Sequence, residues 1–165
     1  MKKNIIATLL CITSGIHAQQ IVLENDLVQR TLSFDGKVWR TTKFFNIKDN
    51  QSLVVKSDEL AILPMEEEKP YSISDFTVID QPQTGTTRDT SYIVIRYKPR
   101  PETRVNEALP QWISIKYYIV KNEPFTRKNI SLYYDKPATV DRLEVERFIV
   151  NKTATGGGRG EPVFV

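Results

Sequence analysis

The sequence predicts an all-β domain, an antiparallel two-sheet sandwich, and three observations carry that expectation. Short runs alternate apolar and polar residues with a period of two, the pattern of a strand that buries one face. Gly, Pro, Asn and Asp punctuate the chain about every 8–12 residues, the spacing of sandwich strands. No stretch sustains a helical period.

The elements follow in order. Residues 20–24 and 27–34 are two β-type runs, and Asp35-Gly36 forms a hairpin turn, because glycine accepts the positive φ such turns need. Residues 37–46 return, carrying Val38, Thr41, Thr42, Phe44 and Phe45. Asp49-Asn50 marks a turn before residues 52–55, and Pro64 ends the apolar run at 60–63. The stretch PMEEEKPY is a charged loop between two prolines. A strand at 76–79 precedes the polar turn QPQTGTTRDTS. YIVIRY (92–97) and WISIKYYIV (112–120) give the strongest strand signals, being rich in β-branched and aromatic residues. Between them KPRPETRVNEALPQ reads as a projecting loop. Residues 125–134 and 140–150 close the series, separated by DKPA. The last run, VDRLEVERFIV, would also fit a helix through Leu143, Glu146 and Arg147, but its valines and β surroundings favour one strand. The series amounts to roughly nine or ten strands.

The two ends stand apart from the sandwich at 19–150. Residues 1–18 read as a secretory signal. Lys2 and Lys3 give a positive start, residues 5–16 an apolar run too short to span a bilayer, and Ala18 a small residue before the cleavage point. Cys11 lies inside that run, behind Leu9 and Leu10, away from the place of a lipid-modified cysteine. The expectation is export to the periplasm or the exterior, with no membrane attachment once the signal is removed. Residues 151–165 form a glycine-rich linker and the start of a further strand at Val163, Phe164 and Val165, so the sandwich reads as interrupted there. Arg159 and Glu161 stand where a phosphate loop carries Lys-Ser/Thr, and Pro162 then leads into the strand, so the glycines are not read as a phosphate site.

Removing the signal changes the chemistry available. Lys and Arg fall from 23 to 21 while Asp and Glu stay at 20, leaving a net charge of +1. Such a balance gives no attraction to nucleic acid. The only cysteine and the only histidine, Cys11 and His17, leave with the signal. Disulfides, Cys or His catalytic systems and His/Cys zinc sites are thereby excluded from the mature chain.

The run IVLENDLVQRTLSFDGKVWRTTKFFNIKDNQSL carries a pattern: Glu24-Asn25 before a strand, Arg30 and Phe34 within it, Thr41-Thr42 in the next, then Asn46. In this it resembles the N-terminal β-sandwich of glycoside hydrolase family 36 and related α-galactosidase-like enzymes. The later stretch FTRKNISLYYDKPATVDRLEVERFIV is similar to strands of the same domain. The resemblance implies a galactose mutarotase-like two-sheet fold, possessed here without the barrel that follows it in the family. Because the catalytic carboxylates of those enzymes lie in that barrel, the resemblance implies no catalytic residue in this chain. The histidine of mutarotases has no counterpart in the mature sequence.

Several constellations bear on chemistry. Glu144 and Glu146 on one strand would share a face about 7 Å apart, a tolerable spacing for an inverting glycosidase pair. The reading favoured for the same carboxylates is a solvated strand face with Arg142 and Arg147 as neighbours. Glu66, Glu67 and Glu68 lack the alternating spacing of a calcium loop, and no metal or other cofactor is expected. Trp39, Tyr71 and Trp112 are candidates for stacking on the apolar faces of sugars, with core or strand-edge packing as the other reading. Arg100 and Arg104, with Glu102 and Glu107, stand on the long loop where a parent enzyme's barrel or another subunit would make contact. The expected function is that of a non-catalytic sandwich supporting carbohydrate hydrolysis by packing on a catalytic barrel; a freestanding carbohydrate-binding module is the alternative.

Overall fold

A computed structural model describes residues 19–65, 67–103 and 108–150. Among these residues the secondary structure is thirteen strands and one short 3-10 turn at Ile73–Asp75. Strands β1 (Gln20–Glu24), β2 (Val28–Phe34), β3 (Trp39–Asn46) and β4 (Gln51–Asp58) form a meander, and β13 (Arg147–Val150) joins β4. The second sheet is built on β9 (Thr90–Pro99). β10 (Trp112–Val120) and then β11 (Thr126–Tyr133) lie on one side of it. β7 (Phe76–Val78) and β8 (Gln83–Thr86) share its other edge. A small third sheet contains β12 (Val140–Glu144), β5 (Ala61–Pro64) and β6 (Tyr71–Ser72). All pairings are antiparallel, and the two large sheets face each other as a sandwich.

Alternation explains which residues fill the interior. Ile93, Ile95 and Tyr97 of β9 and Ile113, Ile115, Tyr117 and Ile119 of β10 are buried, while their neighbours along each strand are not. They meet Leu23, Leu32 and Trp39 from the first sheet and Val38 from its turn. Leu60, Ile62, Ile73, Phe76 and Leu109 complete the same core. Each buried aliphatic side chain of this size contributes about 1.5–3 kcal/mol.

The turns follow the predicted chemistry. Gly36 has φ +92°, and the Asp35 carboxylate accepts from the amides of Lys37 (2.9 Å) and Val38 (2.8 Å). That cap holds Lys37 and Val38 in the turn, so the return strand starts at Trp39. Asn50 has φ 53°, beside an Asn46 side chain that accepts from the Asp49 amide at 3.2 Å.

Other expectations change. QPQTGTTRDTS is a hairpin rather than one turn: Gln83–Thr86 pairs with β9, and the reversal is at Thr87–Thr90. An edge strand with neither face in the core needs no apolar alternation, so the polar sequence concealed it. The run at 52–55 extends into the full length of β4, and Pro64 lies within β5 opposite Val140. The single strand predicted for 140–150 is two strands, with Val145 and Glu146 between them; β12 goes to β5 and β13 to β4. Residues 1–18 and 151–165, with their signal and linker readings, lie outside the described residues, as do Glu66, Arg104 and Glu107.

Asn25 joins the two sheets at one end. Its side-chain oxygen accepts from the amides of Leu27 (2.8 Å) and Val28 (2.9 Å). Its NH2 donates to the carbonyls of Val120 (2.9 Å) and Glu123 (2.8 Å) in the β10–β11 turn. Asn25→Ala is therefore expected to destabilise the domain by about 1–3 kcal/mol, since it removes four bonds and leaves partly buried backbone groups without partners. A urea midpoint unchanged from wild type would contradict this role.

Candidate functional site

On β2 the inward positions read Val28, Arg30, Leu32 and Phe34, and on β11 Lys128 shares its parity with Ile130 and Leu132. Two cations therefore point where apolar residues are expected, and they need buried anions. Glu59, in the short link between β4 and β5, is the first. It is wholly buried, as is Arg30. Glu146, between β12 and β13, is the second and is 19 % exposed.

Five donors saturate the Glu59 carboxylate. One oxygen accepts from the Thr41 amide and the Ser57 hydroxyl, each at 2.5 Å. The other accepts from the Tyr117 hydroxyl (2.7 Å), the Lys128 ammonium (2.8 Å) and Arg30 (3.3 Å). Glu146 accepts from Arg30 and, at 3.3 Å, from Lys128. Arg30 also donates to the Thr41 hydroxyl (2.9 and 2.6 Å), and its guanidinium lies 4.4 Å from the Tyr117 ring centre and 5.1 Å from that of Phe44. A bulge on β3 makes this possible. Register slips so that Thr31 faces Lys43 while Leu32 faces Thr41, which brings Phe44 opposite Arg30 and turns the Thr41 hydroxyl inward beside it.

The electrostatics follow from this geometry. Burial alone would push the Glu59 carboxyl up, but Lys128 and Arg30, with hydrogen bonds from Lys128 and Ser57, outweigh it and hold the group well below the usual carboxylate range. For Glu146 burial prevails over the two cations, Glu59 adds repulsion, and the carboxyl is pushed up. Burial and then the Glu59 charge raise the Tyr117 hydroxyl well above its ordinary value. Glu59 is thus fixed as an anion with no lone pair left to take a proton from a substrate. The five donors of Glu59 come from both large sheets and tie them together.

The carboxylates proposed as a glycosidic pair are not brought together as one strand face. Glu146 turns to Arg30 and Lys128, whereas Glu144 meets Arg142 (3.3 Å) and Arg147 (3.9 Å). The strand breaks between them, where the chain leaves β5 for β4 and Glu146 faces the two cations.

The other predicted site residues divide. Trp39 is corrected: only 3 % exposed, it packs in the core with its ring centre 5.4 Å from that of Phe34, leaving no face for a sugar. Tyr71 is half-buried on β6 against the core. Arg100 ties its loop to the start of β7, donating to the Phe76 carbonyl at 3.2 Å, and lies 3.9 Å from Glu102 in the same loop. Trp112 is half-buried on the outer side of the second sheet, stacked on Tyr133 with ring centres 3.4 Å apart and planes 8° from parallel. Glu59, Tyr117 and Lys128 were not singled out from sequence; the cations at apolar strand positions were the available signal.

Compared with known proteins, the chain matches no family model, no curated protein and no solved structure.

Glu59→Gln is expected to lower the unfolding free energy by about 3–5 kcal/mol at neutral pH, as breaking a buried pair does. Glu146→Gln should change it little at neutral pH, because burial outweighs the pull of the two cations on that carboxylate. The two carboxyls have opposite pH signatures. Folding depresses Glu59, so its contribution is present above the ordinary Glu value, about 4.3, and drains as pH falls through the range below it. Folding raises Glu146, so its contribution is full below that value and is lost as pH rises past it. Urea unfolding measured across this range should show Glu59→Gln flattening the acid side of the stability profile; an unaltered acid slope would rule Glu59 out as its source.

Proposed function

We propose that this chain is a non-catalytic β-sandwich domain of an exported α-galactosidase-like glycoside hydrolase, which supports hydrolysis by packing on a catalytic barrel. The observation that carries this reading is an apolar surface around β4, β12 and β13. Val54 and Ile149 lie on the outer face of the first sheet, 61 % and 59 % exposed, and Val145 and Leu143 are exposed just before β13. Ile149 faces Lys56 across the strand pair, which makes Val54 its diagonal neighbour. β13 ends its sheet, so among the described residues one edge of its backbone carries no partner strand. Exposed apolar residues beside an open edge favour a covering protein surface. The saturated Glu59 carboxylate is in keeping with a structural use of that buried charge.

A freestanding carbohydrate-binding module is the second reading, favoured by the stacked Trp112 and Tyr133 on the opposite, outer face of the second sheet.

The first reading has a direct test. Sequencing the gene past the codon for Val165 and through the neighbouring frame should reveal a barrel-encoding stretch. Joined to that barrel, the sandwich should permit turnover of an aryl α-galactoside, and Val54→Asp with Ile149→Asp should impair it while leaving the melting of the isolated chain unchanged. Turnover by the isolated chain, or a locus with no barrel, would refute this reading.

A further inference from the structure

The outer face of the second sheet has a composition unlike that of a plain solvated surface. Alternation turns Trp112, Ser114, Lys116 and Tyr118 of β10 to this side, since the residues between them fill the core. Cross-strand register sets Tyr133 beside Trp112, Ser131 beside Ser114, Asn129 beside Lys116 and Arg127 beside Tyr118. On the other flank Arg96 lies beside Ser114 and Tyr92 beside Tyr118. From Trp112 to Tyr118 this track is about 20 Å long, at the usual rise of a strand.

Both ends are aromatic. At one end Tyr133, 42 % exposed, lies flat on Trp112. At the other, Tyr92 leans over Gly85, where a Cβ would collide with its ring, and Arg127 covers the exposed ring of Phe125 at 4.6 Å. Hydroxyl and amide side chains lie between. Lys116 sits at the centre. Its ammonium is 4.9 Å from the Tyr92 ring centre and 5.6 Å from that of Tyr118, and among the described residues no carboxylate pairs with it. Arg96 and Arg127 are matched one-to-one by Asp80 and Glu123, so Lys116 and the exposed Lys98 leave the face with a surplus of two positive charges.

We infer that this face binds an extended acidic polysaccharide, one whose sugars carry carboxylates. Aromatic rings take the apolar faces of sugars, and the serines and Asn129 can bond their hydroxyls. A sparse positive surplus complements a polymer with one carboxylate per sugar. It is too thin for the phosphate density of a nucleic acid. The inference rests on the carbohydrate reading of this face and is independent of docking at β13.

Native gels of the full chain cast with polygalacturonate, neutral galactomannan or oligothymidylate test it. Retardation by polygalacturonate alone is expected, reduced by added salt, weakened about tenfold by Lys116→Met and abolished by Trp112→Ala with Tyr133→Ala. Lys116 lies outside the core, so Lys116→Met carries the test if the aromatic variant fails to fold. Equal retardation by galactomannan, or by polygalacturonate regardless of Lys116, would overturn the acidic class and keep the carbohydrate reading. Retardation by oligothymidylate, or by none of the three, would overturn both.

Discussion

A carboxylate sealed between two β-sheets must find its donors inside the protein, and Glu59 draws on five strands to do so: Arg30 on β2, Thr41 on β3, Ser57 on β4, Tyr117 on β10 and Lys128 on β11. Three belong to one sheet and two to the other. The mutual position of the sheets is therefore tied to the geometry of a single group. The β3 bulge and the break between β12 and β13 both serve it, the first by turning Thr41 toward Arg30 and the second by releasing Glu146 to face the two cations.

Magnitudes decide what this cluster contributes. At 2.8 Å and an effective dielectric constant near 20, the gross attraction between Lys128 and Glu59 is about 6 kcal/mol. Removing both ions from water costs several kcal/mol each, so the pair roughly breaks even against well-packed apolar residues. The net driving force for folding comes instead from the isoleucines and aromatics of β9 and β10. The ions supply alignment: a sheet displaced by one residue would bury Arg30 or Lys128 without a counter-charge. Asn25 complements them at the β10–β11 turn, bridging the sheets through neutral bonds.

Much of this architecture was legible in the sequence. The β9 and β10 runs announce themselves because both lie at the centre of a sheet and bury alternate residues, and the Asp35-Gly36 and Asp49-Asn50 turns depend on local chemistry alone. β8 escaped notice because its pairing makes no demand on side-chain polarity. The split of residues 140–150 was invisible because the strands its two halves pair with, β5 and β4, and the Arg30 that Glu146 meets, all lie far back in the chain. Trp39 carried two readings along the sequence, sugar stacking and core packing, and burial against the opposing sheet decides for the core. Asn25 and Arg30, which stood out as a pattern along the sequence, each bond a distant segment, and Thr41 bonds Arg30 across their hairpin.

The chain separation within the ion cluster also bears on how the protein is made. Arg30 and Glu59 emerge early during synthesis, Lys128 much later and Glu146 last of all. Until Lys128 has been added, Arg30 alone accompanies Glu59; until Glu146 follows, the interior holds an unbalanced positive charge. Contacts of such long range are reached slowly, after much of the loop-closure entropy has been spent. The meander β1–β4 can assemble on its own nascent segment, but the sandwich cannot seal before almost the whole described chain is present. A nascent chain that has not yet reached Glu146 would thus remain open at its interior, available to chaperones and proteases.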